Sequence, residues 1–132
     1  MKANELMVGD WVRVKAPYFK KNKAYRVVEV REHGYNGEAT ANIELPDEDE
    51  EASMTGEYII GIPITPEILE KNGFIYNDLP FVQGWEQFGL TLFPGGNGFR
   101  ITCGQNVAMV IDSVHELQHA LRLCGIEKNI EL

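Results

Sequence analysis

The sequence predicts an α+β fold: an SH3-like small β-barrel at the amino terminus, then a short helix, a three-stranded antiparallel meander and a carboxy-terminal amphipathic helix. Three observations carry that reading. Apolar residues alternate with period two through much of the chain, the mark of half-buried strands. Thirteen glycines and six prolines cut these runs into short pieces. Only two segments, 65–73 and 113–124, carry helix start and stop signals around an apolar stripe.

The elements follow in order. In "ELMVGDWVRVK" the pair Gly9-Asp10 forms a tight bend, and Val12 and Val14 then alternate with Arg13 and Lys15 until Pro17. "AYRVVEVRE" is a second strand, and "HGYNG" supplies the Gly and Asn that a hairpin needs. "EATANIEL" places Ala39, Ala41 and Ile43 on one face of a third strand. The acidic run Glu44–Glu51 reads as a solvated loop, because like charges crowd there. "EYIIGIPI" makes a fourth strand. Thr65 then caps a short helix, Pro66 fits its first position, Asn72-Gly73 ends it and Phe74 folds back onto it.

"LPFVQGWE" carries no clear pattern. "QFGLTLF" aligns Phe88, Leu90 and Leu92, "FRITC" answers with Phe99, Ile101 and Cys103, and "NVAMVI" completes the meander. The intervening "PGGNG" reads as a hairpin loop. It lacks the helix N-terminus behind it, and the Lys-Ser or Lys-Thr after it, that a phosphate cradle uses. The natural division is 1–62 for the barrel and 63–132 for the helix, meander and terminal helix, with a single shared core as the alternative.

At 132 residues the chain is long enough to bury a core without disulfide staples. Cys103 and Cys124 accordingly read as reduced core residues. No run approaches the ~20 apolar residues of a membrane helix, and the start has no signal-peptide pattern, so the expected setting is cytoplasmic with no membrane partner. The net charge of −8 is segregated: residues 11–31 hold seven basic side chains against one acid, Glu29.

That basic segment is the first candidate site. Trp11, Arg13, Lys15, Tyr18, Phe19, Lys20, Lys21, Lys23, Tyr25 and Arg26 interleave cations with aromatic rings, the pattern that follows a phosphate backbone and stacks on bases. An unspecified protein contact is the other role such a patch suits, and the plain alternative is a solvated lysine loop or one drawn to the chain's own acidic run. The acidic remainder of the chain favours a protein over a nucleic acid.

The second candidate is "HELQH", His115–His119, which matches His-Glu-x-x-His: two zinc-binding histidines and a general base, Glu116. Helix geometry speaks against it. At about 100° per residue, Val114, Leu117, Ala120, Leu121 and Cys124 form one stripe, while His115 and His119 fall on the other side and should face water. Arg122 lies beside the pair, no third ligand follows, and Ser113-x-x-Glu116 is a capping box that employs the carboxylate. The expectation is no metal and no cofactor, with a zinc-dependent hydrolase as the alternative.

Taken together, "LMVGDWV", "IPITPEILEKNGF" and "VHELQHALRLCGIEKNIEL" resemble a family of small uncharacterised bacterial proteins, many carried by phages and mobile elements of anaerobic gut bacteria. The resemblance implies no activity, cofactor or catalytic residue. In similar tails the positions of Glu116 and His119 can read Gln and Asn. The sequence therefore points to a noncatalytic binding or accessory module.

Overall fold

The computed structural model describes residues 1–17, 19–45, 50–80, 82–96, 98–103 and 106–132, with the side chains of all of these except 82, 103 and 106–108. It is α+β, with two antiparallel sheets and two helices, and it divides into the units Met1–Ile62 and Pro63–Leu132.

The first unit holds β1 (Trp11–Val14), β2 (Tyr25–Tyr35), β3 (Glu38–Leu45), β4 (Glu50–Thr55) and β5 (Ile59–Gly61), in the spatial order β4-β3-β2-β1-β5. Asp10 sets the entry to β1. Its carboxylate accepts from Met7 N–H at 2.8 Å, and Gly9 beside it takes the left-handed backbone (φ 94°) that a bend here requires. Val12 and Val14 then point inward and join Tyr25, Val27, Ala41, Ile43 and Ile59 in the core.

Sequence periodicity places one strand between the acidic run and the first helix, whereas the structure has two. β4 pairs with β3 (Ile43 opposite Ala52, Ala41 opposite Met54), and β5 is only three residues long. β4 eluded the alternation rule because it is an edge strand: Ala52 and Met54 are half-buried and Glu50 and Glu51 are exposed. Charge at an edge is a common guard against further pairing. The acidic run is thus partly hairpin, with Glu44 in β3 and Glu51 opposite it in β4. Residues 46–49 lie outside the described residues.

The second unit starts with α1 (Pro66–Lys71). Thr65 Oγ1 accepts from Ile68 N–H at 3.3 Å, Gly73 takes φ 87°, and Phe74 N–H returns to Leu69 C=O at 3.0 Å with its side chain buried. β6 (Ile75–Leu79), β7 (Val82–Gln87), β8 (Leu90–Gly95), β9 (Gly98–Cys103) and β10 (Asn106–Ile111) form a meander of five strands rather than three. α2 (Val114–Leu123) closes the unit. The buried side chains come from one sheet face (Trp85, Leu90, Leu92, Ile101) and from the helices (Leu69, Val114, Leu117, Leu121).

Phe88 departs from its expected place beside Leu90 and Leu92. It is exposed in a turn, at φ 57°, followed by Gly89 at φ 76°. Such a left-handed pair matches the twist of the flanking strands. Among the described residues no helix is long and apolar enough to cross a membrane.

Candidate functional site

Strand alternation positions the cationic face. Because Val12 and Val14 are buried, Trp11 and Arg13 occupy the opposite side of β1, both half-buried. Arg26 stands across from Trp11 in the β1–β2 register and lays its guanidinium 4.8 Å from the centroid of the indole ring. Lys15, Lys20 and Lys21 are exposed, and Lys23 Nζ sits 5.4 Å over the Tyr25 ring.

The aromatic half of the predicted patch is spent internally. Tyr25 is buried, and its ring meets Phe19 edge-on at 5.3 Å. Phe19 itself packs against the core of the first unit. Tyr18 lies outside the described residues. The structure therefore brings Trp11, Arg13 and Arg26 together as one surface, with the lysine loop following β1, while Tyr25 is buried and Phe19 half-buried against it.

The same unit holds a groove of about 740 Å³ that the sequence does not signal, lined by Phe19, Tyr35, Met54 and Tyr58 with Glu38 and Glu57. Its residues come from a loop, a hairpin, β4 and the 3₁₀ turn Gly56–Tyr58. No local spacing links them.

The histidine pair corrects one expectation. His115 does not face water: it is 8% exposed, and His119 is half-buried. The stripe of Val114, Leu117, Ala120 and Leu121 is buried as expected, but the buried arc widens through Gln118 to His115. The first turn of α2 is tied in by a bridge between Pro63 and Ser113 and by Ile64 N–H bonding to Asp112 C=O at 3.1 Å.

The histidines meet each other and the cap of the helix. The two rings meet edge-on with centroids 5.7 Å apart, and His115 Nδ1 lies 3.1 Å from Ser113 Oγ. Glu116 accepts from Ser113 Oγ at 2.7 Å and from Asp112 N–H at 3.3 Å. Burial works to raise its carboxyl, yet hydrogen bonds from Asp112 and Ser113 outweigh that and hold it below the usual range. A base so stabilised as its anion is a poor proton acceptor. A catalytic zinc needs three protein ligands, and among the described residues no group of three or more His, Cys, Asp or Glu is placed to hold a metal.

Cys124 is half-buried at the end of α2; the Cys103 side chain lies outside the described residues. No family model, curated protein or solved structure matches the chain.

Proposed function

We propose that the protein is a noncatalytic, cytoplasmic binding or accessory module whose amino-terminal unit is an SH3-like barrel that docks an acidic protein partner. The order β4-β3-β2-β1-β5, the long β2 and the 3₁₀ turn between β4 and β5 support the barrel reading. The observation that carries the docking reading is Arg26 stacked on Trp11 with Arg13 beside it, next to an exposed lysine loop. A guanidinium held over a ring loses less freedom when it pairs with a carboxylate. Because the rings are engaged with core or cation, this face suits carboxylates better than unstacked bases.

The test is capture from the native host at low salt, read by mass spectrometry, alongside Arg13→Glu/Arg26→Glu. A partner retained by the wild type, released by salt and lost in the variant supports the reading. Salt-sensitive retardation of labelled single-stranded DNA or RNA, with no protein captured, replaces it with a nucleic-acid role.

A further inference from the structure

The sheet of the second unit ends on one side in β6, an edge strand whose single charged residue is Asp78. Ile75, Tyr76 and Leu79 are 68%, 43% and 57% exposed, so three of its five residues are large, apolar and in water. Edge strands of monomeric proteins usually carry Lys, Pro or a bulge against such pairing. β6 has none within it, and its register with β7 is unbroken from Ile75 opposite Glu86 to Leu79 opposite Val82.

Register settles which backbone groups face outward. Leu79 and Val82 stand only three residues apart in the chain, too close for the non-hydrogen-bonded kind of pair, so their pairing runs through the N–H and C=O of Leu79 itself. Antiparallel ladders alternate, so Asn77 and Ile75 also bond to β7. The N–H and C=O of Tyr76 and Asp78 are left pointing away from the sheet, and they make no hydrogen bond among the described residues.

We propose that β6 pairs antiparallel with β6 of a second copy of this chain, about a two-fold axis at Asn77, to give one continuous ten-stranded sheet. In that register Tyr76 lies opposite Asp78 of the second copy, and every outward backbone group of both strands finds a partner. On the face holding the odd-numbered residues, Ile75 meets Leu79 at each end and the two Asn77 amides meet in the centre. Each Asp78 stands across from a tyrosine, so like charges are not opposed. Slipping the register by one residue would lose this match. A two-fold contact closes at the dimer, whereas pairing β6 with β10 of another copy would continue into open arrays.

The experiment is sedimentation equilibrium of the whole chain from micromolar to near-millimolar concentration. A reversible monomer–dimer equilibrium is expected. Asp78→Pro removes a donor that β7 does not use, so the hairpin survives and the dimer weakens about tenfold or more. Ile75→Lys weakens it too, and adding Leu79→Glu restores it, because the register sets those charges face to face. That charge pair keeps the proposal testable should Asp78→Pro disturb folding. A wild type that stays monomeric throughout, assemblies that grow past the dimer, or a dimer indifferent to all three variants would overturn it.

Discussion

Ser113 Oγ donates to Glu116 Oε1 at 2.7 Å, and the same carboxylate oxygen accepts from Asp112 N–H at 3.3 Å. The capping motif read from Ser113-x-x-Glu116 is therefore present in altered form. The serine hydroxyl serves the glutamate rather than a backbone N–H of the first turn, and the carboxylate reaches one residue further back. With its only hydrogen given to Glu116, Ser113 Oγ is left to accept from His115 Nδ1.

Stability should accordingly depend on this trio and not on metal. Ser113→Ala and Glu116→Gln are each expected to lower unfolding free energy by about 0.5–2 kcal/mol. Urea titration by circular dichroism measures this, and added zinc should leave the wild-type midpoint where it was.

Asn72 does more than end α1. Its side chain donates to Ile68 C=O and to Glu131 C=O, both at 2.8 Å, and accepts from Glu131 N–H at 2.7 Å. The last residues are thereby held against the helix end, with Ile130 buried behind them. Asn72→Ala should cost about 1–3 kcal/mol. Hydrogen exchange should show the Glu131 amide losing protection first, ahead of the sheet.

Thr40 is almost fully buried in β3, and its Oγ1 makes no hydrogen bond among the described residues. It packs against Gly34, where a Cβ would overlap the hydroxyl. Thr40→Val keeps the shape and removes the orphaned oxygen, so a gain of about 1–3 kcal/mol is expected. Gly34→Ala should destabilise, and Thr40→Ala in the same chain should recover part of the loss. Thermal melts of the single and double variants test both signs and their coupling.

Local chemistry was legible in the sequence and tertiary placement was not. The Thr65 cap, Pro66, the Gly73 stop and the return of Phe74 rest on contacts within one turn, so their spacing alone announces them. β4 and β6 are edge strands: in β4 the alternation is confined to Ala52 and Met54 behind a run of acids, and in β6 four of five side chains are exposed. Tyr25 illustrates the same limit within the candidate surface. Interleaving with lysines suggests a binding ring, but its parity with Val27 puts it in the core. The groove gathers Phe19, Tyr35, Met54 and Tyr58 through the strand order alone.

Asp112 lies just before the cap of α2, and its backbone N–H donates to Glu116 in the first turn, so the two carboxyl groups influence each other. Hydrogen bonding to Glu116, then burial and the repulsion of the second carboxylate, raise the Asp112 carboxyl above its usual range, while Glu116 is held low. The signs oppose. Asp112, with its folded value raised, contributes stability that is fully present below its unfolded value and is lost as pH rises through the folded one. Glu116, with its folded value lowered, contributes above its unfolded value and loses this as pH falls through the folded one. The pair is therefore most stabilising in the acidic window between them, where Asp112 holds its proton and Glu116 is ionised. Asp112→Asn keeps a donor and removes the second charge. It should raise stability at neutral pH by about 0.2–0.5 kcal/mol, the scale of a like-charge pair at this spacing. The gain should vanish once the wild-type Asp112 is itself protonated. Urea midpoints of wild type and variant from pH 7 down to the carboxylate range decide it: curves that stay parallel would mean that the two groups titrate independently.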